Sequence, residues 1–138
     1  MYRVSSPDNS DSGIERLIQA MGLNAPRVSE ADIQANIVSE HYFTAGEGLM
    51  ASIQTTGTTP GWPTDDISTL IPKELDLLTF CVLVLRNGFT VTGESSCASP
   101  ENFNADIGKR IARANAEQKI WPLMGYALKE QLFKEQAR

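Results

Sequence analysis

The dipeptide Asn87-Gly88 divides two β-rich runs, "LDLLTFCVLVL" and "FTVTGESS", and it constrains the fold more than any other feature of the chain. Asn and Gly both tolerate positive φ, so the pair predicts a two-residue type I′ turn and an antiparallel hairpin over about 77–97. With that turn, Leu85 faces Thr90, Val84 faces Val91 and Cys81 faces Glu94. Alternation then assigns Phe80, Val82, Val84, Phe89 and Val91 to one face, expected to be the core. The opposite face carries Thr79, Cys81, Leu83 and Leu85 with Thr90, Thr92 and Glu94. Half apolar and half polar, it is expected to be a subunit contact or to be covered by an N-terminal helix.

Helical spacing appears on both sides of the hairpin. Ile14, Leu17, Ile18 and Met21 recur at helical intervals and stop at Gly22, a suitable cap. In "VSEADIQANIVSEHYF" Ser29 stands three residues before Asp32, a capping-box variant, and Ile33, Ile37 and His41 extend the expected helix along one face. After the hairpin, Ser99, Pro100 and Glu101 suit a helix start, with Phe103, Ile107, Ile111 and Ala114 as its apolar stripe. Pro122 cannot donate an amide, so a kink or break near Trp121 is expected, followed by a second helix toward the end. The fold class is therefore α+β: a small antiparallel sheet built on the hairpin, packed with N-terminal helices and a kinked C-terminal helical pair. Residues 1–10 are expected to be a disordered tail. The remainder, 11–138, reads as one domain with a long flexible loop at about 44–76, where "QTTGTTPGWP" offers Trp62 as its one large anchor.

Charge narrows the function classes. The chain carries 12 basic and 17 acidic side chains, and the excess of acid lies in residues 1–100, net −7, against +2 for 101–138. Without a dense cationic run, bulk nucleic-acid binding is not expected. No apolar run reaches membrane-spanning length and no signal peptide opens the chain, which reads as cytosolic. A single histidine and two separated cysteines exclude a conventional structural metal site, and no cofactor is implied. Cys81 and Cys97 fall on opposite faces of the hairpin and are expected to stay unbridged.

A catalytic nucleophile is conceivable at "GESSC". A thiol or hydroxyl between strand and helix can be a nucleophile, but Gly93-Glu94-Ser95-Ser96-Cys97 lacks the Gly-x-Ser-x-Gly pattern, and His41 is the only imidazole base the chain offers. No catalytic residue is assigned. Lys109, Arg110 and Arg113 form the best candidate for a small anion, with Arg86, Phe89 and Trp121 able to add guanidinium or aromatic contacts to a base. The competing arrangement pairs Asp106 with Arg110 and Glu117 with Arg113 on a solvated surface.

"LLTFCVLVLRNGFTVTGESSCASPENFNADIGKRIA" with the later "KIWPLMGYAL" and the upstream "VSEADIQANIVSEHYFTA" closely resembles the small tailed-phage and prophage protein family of gene product 49 and gene 66. Residues 1–26 and much of 46–73 lie outside the resemblance. It implies phage origin, action in the host cytoplasm and no enzyme motif, and it transfers no site. A hairpin body with a kinked helical pair is also similar in outline to phage sponge proteins that capture cyclic nucleotide signals of bacterial immunity. The expectation is a non-enzymatic, counter-defence accessory protein, homo-oligomeric, that sequesters a cyclic nucleotide or related small anionic ligand. The alternative is a module that binds and inhibits or redirects a host protein.

Overall fold

The computed structural model describes residues 9–55 and 67–137. Residues 1–8 of the tail expected at 1–10, and Trp62, lie outside the described residues. In chain order the elements are α1 (Asp11–Ala20), α2 (Glu30–Asn36), β1 (Ile37–Thr44), α3 (Ala45–Thr55), 3-10 turns at Ile67–Leu70 and Lys73–Leu77, β2 (Leu78–Leu85), β3 (Thr90–Ser96), a 3-10 turn at Pro100–Asn102, and α4 (Ala105–Gln136). The α+β class is as expected. Contacts divide the chain into two compact units, Met1–Asn36 with Trp121–Arg138, and Ile37–Ile120.

In the first unit, α1 begins at Ser10, whose hydroxyl accepts from the Gly13 amide at 3.1 Å. It ends where Gly22 takes φ +67°. The amides of Gly22 and Leu23 reach back to the carbonyls of Gln19 and Ile18, a Schellman closure that only a residue tolerant of positive φ completes without strain. The capping box at α2 is formed as read. The Ser29 amide donates to Asp32 Oδ2 at 2.9 Å, and the Asp32 amide donates to Ser29 Oγ at 3.2 Å. Glu15 grips the Arg27 guanidinium through two hydrogen bonds of 2.7 Å.

The helix at α2 is much shorter than its capping box and apolar spacing suggest. It stops at Asn36, and Ile37–Thr44 is a strand. "IVSEHYFT" is rich in β-branched and aromatic residues, which lose side-chain freedom in a helix and pack well on a pleated surface. His41 therefore sits on β1, exposed, with Nε2 3.1 Å from Ser39 Oγ on the same face. The segment expected to be a loop from 44 also begins as regular structure. Thr44 Oγ1 accepts from the Glu47 amide at 3.1 Å and starts α3. Gly46 and Gly48 obscure this helix in the sequence, yet they serve close approach. A Cβ at Gly46 would strike the Asp76 carboxylate, and one at Gly48 would stand 3.5 Å from the Phe43 ring.

The second unit is a three-stranded antiparallel sheet, β1-β2-β3. Its hairpin differs from the expected one by a single residue. Leu85 exchanges hydrogen bonds with Phe89 and Gly88, each 2.8 Å, so the loop is the three residues Arg86-Asn87-Gly88. Gly88 has φ +88°, and among the described residues no non-glycine has positive φ. Asn87 therefore stays out of the left-handed region that a type I′ turn requires. Instead its Oδ1 accepts from the Phe89 amide at 3.0 Å. Val84 now pairs with Thr90, Leu83 with Val91 and Cys81 with Gly93.

A slip of one residue moves a strand's side chains to the other face. Val91 accordingly joins Cys81, Leu83 and Leu85, and these four are the buried apolar residues of the sheet. The face expected to be a subunit contact or to be covered by an N-terminal helix is the core, covered instead by α4. The face expected to be the core, with Phe80, Val82 and Val84, is half-buried. At one end of that face Phe43 and Phe80 pack with ring centroids 5.7 Å apart. Between Ile37 and Ser39 the β1 register shifts, Val38 is the extra residue, and its side chain is 60% exposed.

α4 also reverses the expected pattern. It begins at Ala105, capped by Asn104 Oδ1 accepting from the Ile107 amide at 3.1 Å. Ser99 makes no side-chain cap and heads only the short 3-10 turn. Gly108, Ala112, Ala116 and Ile120, four apart, form the buried stripe, whereas Ile107 and Ile111 face solvent. Small residues win because the helix lies directly on the strands. A Cβ on Gly93 would collide with the backbones of Ala112 and Ala116, and one on Gly108 would come 3.0 Å from Thr79 Oγ1. Asn115 Nδ2 donates to the Glu94 carbonyl at 2.8 Å, fixing the helix at the β3 edge. The expected helical pair is one helix with Pro122 in its interior; the proline removes one amide bond, and the division between units falls beside it.

Gly93→Ala should destabilise the protein by about 1–3 kcal/mol, because neither backbone it would strike can yield as a side chain does. Gly125→Ala, in α4 with nothing within 4 Å of its new Cβ, should instead stabilise by about 0.5–1 kcal/mol. Urea unfolding of the two variants measures both. Similar effects of one sign would refute this packing account.

Candidate functional site

Alternation along β1 places Glu40, Tyr42 and Thr44 on the face that α4 covers, opposite Leu83, Cys81 and Thr79. On α4, Lys109, Arg113 and Glu117 follow at i, i+4 and i+8 beside the buried stripe, so they overhang β1. The Lys109 ammonium stands 5.9 Å from the centre of the Tyr42 ring, within cation–π range. Arg113 Nε donates to Glu40 Oε2 at 2.8 Å, and its Nη1 donates to Glu117 Oε1. Among the described residues these charges form the only ion-pair network that links helix to sheet.

Burial shapes the titration of this edge. Burial works against the Arg113 charge, and Glu40 and Glu117 more than offset it, so the guanidinium pKa is raised. Removal from water lifts the Tyr42 hydroxyl to about 12. Burial likewise raises the Cys81 thiol, its cross-strand partner. Cys81 is a neutral, enclosed group with none of the marks of a thiolate nucleophile. Cys97 is half-buried, its Sγ donating to the Ser99 carbonyl at 3.2 Å. Both cysteines are free.

The residues expected to gather around a ligand are not gathered. Gly108 touches Thr79, whereas Arg86 and Phe89 lie beyond Leu85 at the hairpin tip. Six residues along a strand is about 20 Å, so the tip is remote from Lys109. Phe89 is 54% exposed there. Trp121 is half-buried and belongs to the other unit. Of the cationic ridge, Arg113 is taken up by Glu40 as well as by Glu117. The Asp106–Arg110 pair is absent among the described residues, leaving Arg110 exposed. Tyr42 was missed because its segment read as helix; once β1 is a strand, period-two alternation from Glu40 places it on this face.

The chain matches the Phage protein (N4 Gp49/phage Sf6 gene 66) family over residues 28–132. It belongs to that family. The match to the Gp49/gene 66 family runs through 46–73 as well, so α3 and the turns before β2 are part of the family's fold. No curated protein and no solved structure matches. As a Gp49/gene 66 protein the chain is a phage-encoded accessory protein, and among its described residues no helix is long and apolar enough to cross a membrane.

The alkaline limb of stability tests the enclosed edge. Tyr42 binds its proton more tightly folded, near 12, than unfolded, near 10.0. Its contribution is therefore complete below pH 10 and lost as pH rises through 12. Cys81, raised from 9.0, adds a loss that begins above pH 9. Urea midpoints should fall over this range, and Tyr42→Phe should flatten the part between pH 10 and 12. Parallel curves for variant and wild type would contradict the assignment.

Proposed function

We propose that this phage accessory protein acts without catalysis, by stoichiometric capture of a small anionic nucleotide that signals host defence. The observation that carries the reading is the Lys109 ammonium above the Tyr42 ring, with Arg110 one residue away and exposed. A nucleotide offers both a phosphate for the cations and a base for an aromatic edge. Arg113 is a positioning residue in this reading. Its two carboxylate partners hold it against β1 and are themselves neutralised, leaving Lys109 and Arg110 as the available charges.

A protein-binding reading has an observation of its own. Val38, the extra residue at the β1 register shift, is 60% exposed, and Val82 and Val84 are half-buried on the sheet face turned away from α4, apolar surface suited to a host protein.

Isothermal titration calorimetry against cyclic dinucleotides, cyclic trinucleotides and cyclic ADP-ribose isomers separates the two. One class of ligand should bind at micromolar concentration or tighter, and Lys109→Ala/Arg110→Ala should weaken it at least about tenfold, worth roughly 1.4 kcal/mol. Silence across the panel, with a single host protein captured stoichiometrically and lost on Val38→Glu, would replace nucleotide capture with the second reading.

A further inference from the structure

The cations on the β1 flank of α4 are bracketed by acids. Asp106, Lys109, Arg110, Arg113 and Glu117 follow one another at helical intervals, which stacks them along one side of the helix, and β1 adds Glu40 against Arg113. Among the described residues, Lys109, Arg110 and Arg113 thus stand against Asp106, Glu40 and Glu117, and the flank has no net charge. Arg113 is engaged by two of those carboxylates. Asp106 is exposed and makes no ion pair among the described residues, so its charge still faces an incoming anion.

Order along the helix matters as much as the sum. At 1.5 Å per residue, Asp106 lies about 5 Å from Lys109 toward the helix start, and Glu117 about 12 Å from it toward the other end. A phosphate seated on Lys109 and Arg110 therefore has a carboxylate in both directions along the edge. A phosphodiester brings a single negative charge, whereas a terminal phosphate monoester brings about 1.5–2 at pH 7. Like charges set side by side weaken the wrong complex more than the right one, and the more highly charged ligand meets the larger penalty.

Resting on the nucleotide-capture reading, we infer that Asp106, assisted by Glu40, is a specificity-determining residue that admits nucleotides joined through phosphodiesters and rejects those ending in a terminal phosphate. Nucleoside mono-, di- and triphosphates offer the same bases and sugars, so charge is what separates them from the captured ligand. Asp106 also stands in the first turn of α4, where a carboxylate complements the helix dipole. Its effect on stability is therefore uninformative, and ligand preference is the property to read.

NMR titration of the full chain with GpG, its 5′-phosphorylated form pGpG and cyclic di-GMP makes that comparison. At about 0.15 M ionic strength the Debye length of about 8 Å confines the effect to charges at this edge. Wild type should bind pGpG about threefold or more weaker than GpG, and cyclic di-GMP at least as well as GpG. Asp106→Asn should bring pGpG level with GpG or above it, Glu40→Gln should shift the ratio the same way, and Asp106→Glu should keep the wild-type preference. An acid that serves only the helix would lower the thermal midpoint of Asp106→Asn and leave the ratio where it was. A wild type that prefers pGpG, or a ratio unmoved by Asp106→Asn, would overturn this specificity and leave nucleotide capture standing. Absence of shifts with all three ligands up to millimolar concentration would overturn it too, and with silence across the calorimetric panel would remove nucleotide capture itself.

Discussion

The contact between Gly93 and the backbones of Ala112 and Ala116 governs the second unit. A helix can settle on a sheet at backbone distance only where both surfaces lack side chains, and here Gly93, Gly108, Ala112 and Ala116 supply that clearance. The consequences propagate outward. Leu83 and Cys81, fully buried beside that contact, gain about 1.5–3 kcal/mol for a side chain of leucine size. The flanks of the helix then come within hydrogen-bond reach of both outer strands, Arg113 to Glu40 on β1 and Asn115 to Glu94 on β3. The sheet's core face and the charged edge follow from the same approach.

Close packing by small residues also explains why the sequence reads correctly in some places and not in others. Local chemistry was legible: the closure at Gly22, the reciprocal cap of Ser29 and Asp32, the two hairpin strands. Each is decided within a few residues of chain. The faces were not legible, because hydrophobicity ranks Ile107 and Ile111 above Gly108 and Ala112, and a stripe of small residues is silent on any such scale. The helix was found and its orientation inverted. Gly46 and Gly48 were misread for a related reason: glycine signals flexibility in a sequence and close approach in a packed structure.

The hairpin shows how little separates a right from a wrong face. Asn-Gly is compatible with a two-residue loop and with a three-residue loop ending in a left-handed glycine. The choice depends on which register buries more. In the two-residue register Val91 would leave Leu83 and stand on the half-open face. In the observed one it completes the buried row with Cys81, Leu83 and Leu85, and glycine falls at position 93, where the helix must touch. Tertiary packing, not turn propensity, therefore selects the loop, and residues 108–116 determine the conformation of residues 86–88.

The candidate site obeys the same logic. Spacing along α4 correctly put Lys109 and Arg113 on one flank, but what those cations face depends on β1, whose strand character was hidden behind a good helix cap. Once Ile37–Thr44 is a strand, Glu40 and Tyr42 must project toward α4, and the ridge acquires an acid and an aromatic from another element. That acid takes Arg113 out of contention as a free anion ligand and holds it in place. The aromatic gives Lys109 a fixed neighbour. A charge cluster that looked uniform in the sequence is thus divided by the fold into a structural cation, Arg113, and two available ones, Lys109 and Arg110.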